Sequence, residues 1–437
     1  MAIRENSAIT ADADKSPVSN KPKSSMIVPS LLAVLVIGVI LYVALSTRSY
    51  QWQLSLGGDK YEQAYAVTPL ADGGYLTVGV TNSKGAGSND IWVIKSSVSG
   101  TTEWEKTYGG AQWDIAKSVV EISEQVEGAS EKGYLVFGST SSTDNGDSDF
   151  WLLKLNQQGN LLWQKKYGDA SEDKGQVILS ANDGGYYLLG NSSNESNGFG
   201  DALIIKIDSA GKVLWQQTYG GNDIDEITSA QLTSNGDIIF AGHSASNVAG
   251  RFDFWLNRIT NQGEVIWQTS VGTERTDYSN DVLVNNDGST LVVGYNNSDV
   301  NGLRILVAVK FDAQGQELWQ KEYRAIYNQW SQANAIIANP NGGYVLAGKT
   351  KTARQYDDKP HFEPWLIALD ENGEKLWDSV HQQSGDHHIN DIQRTEDGGF
   401  IVVGSRENQS DRYQSQNTQP KGDNLFIMKM DEKGNLK

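Results

Sequence analysis

Residues 183–221 read DGGYYLLGNSSNESNGFGDALIIKIDSAGKVLWQQTYGG and contain every feature that recurs along this chain of 437 residues. One apolar run follows the D-G-G turn and ends at Gly190, a second begins at Asp201, and a third carries Trp215 four residues before Tyr219. The runs are short, rich in aliphatic and aromatic side chains, and bounded by Gly, Asn, Asp or Ser. That pattern is typical of β-strands joined by turns, so the stretch predicts three successive strands.

The same pattern recurs through most of the chain. Tryptophans in the setting G-x-x-x-W lie at Trp104, Trp163, Trp215, Trp267, Trp319 and Trp377, with gaps of 59, 52, 52, 52 and 58 residues. The turn and apolar run end seven times in glycine, at Gly79, Gly138, Gly190, Gly242, Gly294, Gly348 and Gly404. A further run follows each Y-G-G, which makes four strands per unit. Four antiparallel strands at a period near 52 residues predict β-propeller blades.

The two ends of the repeat set the number of blades. Trp52 lies in a fourth strand that has no first three strands before it, whereas the seventh unit stops at Lys437, one residue short of its tryptophan. A strand at about residues 50–56 therefore completes the last blade, which closes the ring and removes an exposed sheet edge. We expect an all-β fold, a seven-bladed β-propeller over residues 50–437, with the N-terminal strand closing blade seven.

The N-terminal segment predicts a membrane anchor. Residues 26–45 (MIVPSLLAVLVIGVILYVAL) are free of charge and long enough to cross a bilayer as one helix. A cleaved secretory signal, with Ala44-Leu45-Ser46 as its cleavage site, is the alternative. Lys21 and Lys23 precede the run, which favours a cytoplasmic N-terminus. We expect a disordered cytoplasmic tail at 1–25, a transmembrane helix at 26–45, a linker at 46–49 and a propeller in the periplasm, anchored in a bacterial inner membrane.

Composition excludes several classes of protein. Lys and Arg number 36 against 54 Asp and Glu, a net charge of −18, and a surface that acidic repels nucleic acid. The chain contains no cysteine. This absence excludes a disulfide scaffold, thiolate zinc sites, thiol catalysis and a lipoprotein anchor.

Two sequence patterns carry a resemblance to known families. The motif W-x-x-x-Y-G-G at Trp104 to Gly110 and at Trp215 to Gly221 resembles a bacterial type of propeller repeat. The pattern around Asp208, Gly211 and Trp215, and again around Asp312, Gly315 and Trp319, is similar to the outer strand of quinoprotein-like propellers. That family includes pyrroloquinoline quinone (PQQ) dehydrogenases and non-catalytic assembly scaffolds. The dehydrogenases typically have eight blades, and some carry a vicinal cysteine pair. This chain has seven predicted blades and no cysteine, and these departures argue against quinone catalysis here.

One acidic position recurs ten residues after each outer-strand tryptophan. It is occupied by Glu62, Asp114, Asp173, Asp225 and Asp277, then by Gln329 or Ser331, and finally by His387. Each carboxylate could cap its own turn by accepting backbone N–H groups. Alternatively, the carboxylates could form an acidic channel mouth that attracts a cation or a basic segment.

The repeat breaks in blades six and seven. These blades have the longest loops, at residues 349–363 and 405–424. We expect both loops on the face where the outer strand of one blade connects to the inner strand of the next, here called the top face. Four of the five histidines lie in this sector, His361, His381, His387 and His388, whereas His243 is expected to be a strand residue. Long loops with aromatic residues favour partner binding. The candidate residues are Tyr327, Trp330, Tyr356, His361, Phe362, His387, His388 and Tyr413.

The same sector leaves other interpretations open. The loops could simply be solvated, or His361 and His387 with Asp357, Asp358 or Asp386 could bind a divalent metal. We find no P-loop, nucleophile elbow or zincin motif. The sequence therefore favours a membrane-anchored interaction scaffold or receptor subunit that binds a protein on the face away from the membrane. A carbohydrate or cell-wall binding module is the alternative. No cofactor and no enzymatic activity are expected.

Overall fold

The computed structural model describes residues 51–126, 129–143, 146–193, 200–246, 251–297, 303–325, 330–354, 357–383, 385–407 and 422–436. In these ranges the regular secondary structure consists of 28 β-strands. None of the described residues belongs to a helix that could span a bilayer. The predicted tail, transmembrane helix and linker, residues 1–49, lie outside the described residues.

The strands form seven antiparallel four-stranded sheets, as the repeat predicts. Blades one to three contain, in order, β2 (Glu62–Pro69), β3 (Tyr75–Thr81), β4 (Asp90–Ser96), β5 (Thr102–Tyr108); β6 (Asp114–Val126), β7 (Ala129–Thr140), β8 (Asp149–Asn156), β9 (Leu161–Tyr167); β10 (Asp173–Ser180), β11 (Tyr186–Ser192), β12 (Asp201–Ile207) and β13 (Val213–Tyr219). Blades four and five contain β14 (Asp225–Leu232), β15 (Ile238–Ser244), β16 (Asp253–Ile259), β17 (Val265–Val271); β18 (Asp277–Val284), β19 (Thr290–Asn296), β20 (Ile305–Phe311) and β21 (Glu317–Tyr323). Blade six contains β22 (Ser331–Ala338), β23 (Tyr344–Arg354), β24 (Asp357–Leu369) and β25 (Lys375–Val380).

The last sheet confirms the predicted closure of the ring. It is built from β26 (His387–Arg394), β27 (Phe400–Arg406), β28 (Asn424–Met430) and β1 (Trp52–Leu56), so the first strand of the chain is the outer strand of blade seven. β1 runs antiparallel to β28, with Trp52 opposite Lys429 and Leu56 opposite Leu425. Its apolar side chains pack on a buried cluster shared with blade one.

The outer-strand tryptophan, with a tyrosine four residues later in four of the seven blades, contacts the turn of the following blade. Trp and Tyr are four residues apart, so they lie on one face of the outer strand. The Tyr167 hydroxyl donates to the Gly211 carbonyl at 2.9 Å, in the turn of the following blade. The Trp52 indole lies against Gly100, whose φ of +83° belongs to the left-handed region that favours glycine. The repeated tryptophans and turn glycines are thus parts of one contact between blades.

The glycine that ends each apolar run lies opposite a β-bulge in the inner strand. Gly79, for example, pairs with Ala64, and Tyr65 is the extra residue before pairing resumes at Ala66. A Cβ on Gly79 would overlap the Gln63 carbonyl, so the close approach requires glycine. All seven inner strands share this irregularity, and the seven extra residues line the central channel: Tyr65, Lys117, Gln176, Thr228, Asn280, Asn334 and Asn390.

Candidate functional site on the top face

The repeated carboxylates cap turns. Each one is the first residue of an inner strand and is at most 4% exposed. Asp114 accepts the Gly110 N–H at 2.8 Å, and Asp225 accepts the Gly221 N–H at 2.6 Å. Glu62, Asp173 and Asp277 accept from the residue four positions earlier in the same way. The prediction of an exposed acidic mouth is therefore wrong for Glu62, Asp114, Asp173, Asp225 and Asp277, because their side chains are buried within the blade turns.

A second set of carboxylates, missed in the sequence, lies beside the first. Asp201 begins the third strand of its blade and is 4% exposed. Burial, and then the charge of Asp225, raise the pKa of Asp201 to about 6. A Cβ on Gly220 would collide with both carboxylates, which explains why a glycine follows the tyrosine. Asp90, Asp149 and Asp253 begin the third strand of other blades, each two residues before a tryptophan, and this D-x-W spacing was the available signal for the set, although Leu203 replaces the tryptophan after Asp201.

Seven aromatic or imidazole rings lie along the top of blades four to seven in two groups, four rings in blades four and five and three rings in blades six and seven, with Arg304 between the groups. This aromatic row consists of Phe252, His243, Tyr278, Tyr295, Trp330, Phe362 and His388. Ring centroids are 4.6 Å apart for His243 and Tyr278, and 5.3 Å apart for Tyr278 and Tyr295. Trp330 and Phe362 meet edge to face at 4.7 Å. Each member lies at or near the top end of a strand, so the blade fold itself assembles the row.

Three cations cover the blade-six end of this row. The Arg304 guanidinium lies 4.1 Å from the centroid of Tyr295 and 4.7 Å from that of Trp330, and it bridges the two rings. Lys349 Nζ lies 5.2 Å from Trp330 and 5.1 Å from Phe362, and Lys351 lies 5.6 Å from Phe362. We call Arg304, Lys349 and Lys351 the cation cluster. Burial and the nearby Arg304 charge lower the pKa of Lys349 to about 8, partly offset by Asp386.

Several predicted docking residues meet at this point. Trp330, Phe362 and His388 belong to the aromatic row, and the His361 Nδ1 lies 3.1 Å from Asp386 Oδ1, which also accepts the Phe362 N–H. The predicted loop at 349–363 is largely a β-hairpin, because β23 and β24 continue pairing as far as Arg354 and Asp357. Burial lowers the pKa of His388 to about 4, so its ring is neutral at pH 7 beside Lys349.

Other predicted residues do not join this surface. His387 is fully buried, with its ring 5.6 Å from Phe426 and its Nδ1 3.1 Å from the Gly385 carbonyl oxygen. Its assignment to the docking surface is therefore wrong, because it fills the position that capping carboxylates occupy in blades one to five. His381 follows Trp377 by four residues and takes the place of the repeated tyrosine, bonded to the backbone of Gly434. Tyr327, Tyr356 and Tyr413 lie outside the described residues or side chains.

The structure also identifies the residue at the recurring position of blade six and bears on the metal alternative. Ser331, not Gln329, occupies the recurring position, since it heads β22 and is buried. Among the side chains that the structure describes, no three His, Asp or Glu residues converge as metal ligands. The side chains of Asp357 and Asp358 are not described, so the metal alternative is not tested at these positions.

The residues that line the central channel were not predicted from the sequence. It has a volume of about 840 Å³ and is lined by the seven bulge residues. Lys117 Nζ lies 3.4 Å from the Tyr65 ring centroid, and burial lowers the pKa of this lysine to about 7. Each bulge residue lies three positions after the recurring acidic position, a spacing that the sequence contains.

The channel wall also ties neighbouring blades together. The amides of Asn280, Asn334 and Asn390 donate to carbonyls of the next inner strand, those of Ala333, Ile389 and Ala64, at 2.6, 2.5 and 2.7 Å. Asp281 and Asp391 each accept a backbone N–H from the next blade at 2.8 Å. PQQ carries three carboxylates and needs an excess of cations around it. The described channel lining contains three carboxylates, Asp281, Asp391 and Asp423, against two lysines, Lys117 and Lys349. It has no excess of cations, and its three asparagine amides are already hydrogen-bonded, so it does not fit that group.

The fold and site define a seven-bladed β-propeller in which side chains of the channel wall hydrogen-bond neighbouring blades to one another. One face of this propeller carries cations beside aromatic rings. Residues 96–356, more than half of the chain, match the family described as outer membrane protein assembly factor BamB. The chain belongs to this family.

The chain is also similar to known proteins outside the family model. The regulatory protein FlaEY of Caulobacter vibrioides is 25% identical over 258 residues, which cover 53% of this chain and 26% of that protein. The chain thus spans about a quarter of the length of this curated relative. Hydrazine synthase of Kuenenia stuttgartiensis superimposes with a TM-score of 0.53 at 11% identity, covering 79% of this chain and 94% of that one. The Pan2 WD40 domain of Neurospora crassa gives 0.48 at 10% identity, covering 87% and 96%.

Proposed function

We propose that this protein is a non-catalytic interaction scaffold that binds a protein partner through the blade-six end of its aromatic row. The observation that carries the proposal is the meeting of Trp330, Phe362 and His388 with three cations on one face. Trp, Tyr and Arg are enriched among the residues that dominate binding energy at protein interfaces, and Trp330, Tyr295 and Arg304 meet here. Membership of an assembly-factor family supports a protein partner.

Location at a membrane is part of the proposal. The uncharged run at residues 26–45 would hold the chain in a bacterial inner membrane as a single-pass protein, with residues 1–25 in the cytoplasm. The propeller and its docking surface would then lie in the periplasm.

A carbohydrate or cell-wall ligand is the second candidate, and the aromatic row itself is the observation that favours it. Sugars bind proteins by stacking on aromatic faces. Around blade six, however, the faces of Tyr295, Trp330 and Phe362 already lie beside Arg304 or the two lysines. This arrangement favours a protein partner over a glycan.

Crosslinking of the full-length protein in native membranes tests the proposal. We expect a defined protein to be captured, and the double variant Trp330→Ala with Phe362→Ala to reduce capture roughly tenfold or more, as loss of two central anchors does. Leu214→Ala with Leu318→Ala is the matched control, because these outer-strand side chains are 54% and 55% exposed and lie outside the sector. Equal capture by both double variants, or capture of glycan alone, would contradict the proposal.

A further inference from the structure

We propose that the cation cluster Arg304, Lys349 and Lys351 recognises an acidic peptide segment of the partner protein. The inference rests on the proposed docking function and names the chemistry of the partner at that surface. It also assigns a role to three residues that the sequence analysis did not single out.

The first support is a local excess of positive charge. The whole chain carries a net charge of −18, yet three cations meet at this surface. Among the described residues, Asp386 is the carboxylate that offsets the charge at Lys349. Asp386 also contacts His361 and accepts the Phe362 N–H. Arg304 and Lys349 repel each other because both are positive. An incoming anion would be attracted by both charges and would reduce this repulsion.

The second support is the geometry of the rings. Arg304 lies between Tyr295 and Trp330, and Lys351 faces Phe362 across the β23–β24 hairpin as its register partner. Cations lie over these rings, and aromatic edges carry partial positive charge, so both kinds of group attract carboxylates. The partly buried rings also offer apolar contact. A ligand that combines carboxylates with apolar side chains matches this surface.

The third support is the length of the aromatic row. The aromatic row continues from the cation cluster through Tyr295 and Tyr278 to His243 and Phe252, across blades six, five and four. Tyr278 and Phe252 are the partly exposed rings of this stretch, whereas Tyr295 and His243 are each 8% exposed. A single small anion would occupy one end of such a row. An extended peptide segment can place carboxylates on the cation cluster and apolar residues along the rings. Free anions and acidic glycans are therefore the less suitable occupants.

The experiment uses full-length protein in detergent micelles and a fluorescein-labelled peptide of about twelve residues, in which Glu alternates with Leu and Gly. We expect saturable binding by fluorescence anisotropy that weakens as salt increases. The triple variant Arg304→Gln, Lys349→Gln, Lys351→Gln should weaken binding roughly tenfold or more. Lys310→Gln is the control, because Lys310 lies 5.6 Å from the Tyr344 ring centroid, in the same kind of contact outside the cluster.

The possible outcomes separate clearly. Equal binding of a peptide with Gln in place of Glu, or unchanged binding by the triple variant, overturns the inference. Displacement of the peptide by inorganic phosphate, to the extent expected from charge alone, indicates a simple anion site. Preferential binding of an acidic oligosaccharide indicates a glycan site. Either result also overturns the inference. If the triple variant fails to fold, Lys351→Glu alone supplies the test. A triple variant that still captures the partner in membranes refutes the acidic segment while leaving the scaffold intact.

Discussion

At the scale of single residues, the buried carboxylate pairs carry a pH dependence. The pKa of Asp201 is raised from its ordinary 3.8 to about 6 by burial and by Asp225. A raised carboxyl pKa means that the folded state binds protons more tightly than the unfolded state. Stability from this group is therefore greatest below pH 4, falls as pH rises from about 4 to about 6, and is constant above that range.

The substitution Asp201→Asn tests this pair. We expect the variant to raise the free energy of unfolding by on the order of 1 kcal/mol at pH 7, because it removes one of two buried charges, and to have little effect near pH 4. Denaturant unfolding at both pH values measures the difference.

Asp183→Asn provides a contrast of opposite sign. The Asp183 carboxylate is paired with Lys206 at 2.7 Å, and this contact lowers its pKa. The variant should destabilise the protein at pH 7 and lose its effect at low pH. Destabilisation by Asp201→Asn at pH 7 would contradict the prediction, because it would mean that a favourable contact of the Asp201 carboxylate outweighs its repulsion by Asp225.

At the scale of elements, β1 decides whether the ring closes. Its burial alternates, with Trp52, Leu54 and Leu56 facing the cluster that contains Trp92 and Ile427. The alternate residues Gln53 and Ser55 are exposed. The strand thus covers both an apolar strip and the free edge of β28.

Fragments of the chain test the role of β1. A fragment that starts at Arg48 should melt cooperatively, whereas one that starts at Gly57 should aggregate or lose cooperative melting, because it exposes an edge and a core strip. Calorimetry and light scattering measure both properties. Leu54→Ala should cost roughly 2 kcal/mol, and Gln53→Ala should cost little. Matching melting curves for the two fragments would refute a closure that depends on β1.

At the scale of the whole molecule, the proposed periplasmic location of the propeller can be tested. If residues 26–45 anchor the chain, protease added to spheroplasts should digest the propeller and spare a tag placed before residue 25. Immunoblots of the tag and of a C-terminal epitope measure the two regions. Protection of the C-terminal epitope in intact spheroplasts, with digestion after lysis, would place the propeller in the cytoplasm and contradict the periplasmic docking surface.

The sequence alone determined the number of blades, the four strands in each blade and the closure by the first strand. Those features depend on strand period and turn chemistry, which are local, and they repeat at a spacing that can be counted. The role of the repeated glycines was also readable, since Gly79 and its equivalents mark positions where a Cβ does not fit.

The tertiary structure decided which side chains face one another. Glu62 and Asp114 could be either caps or a charged mouth, and only their burial in the turns separated the two. His387 and His388 are adjacent in sequence, yet one is buried and the other joins the aromatic row, because successive strand residues point to opposite faces. The meeting of Arg304, Trp330 and Lys349 depends on how blades five and six pack side by side. A contact between residues from different blades has no local sequence signal, so only the folded ring could reveal it.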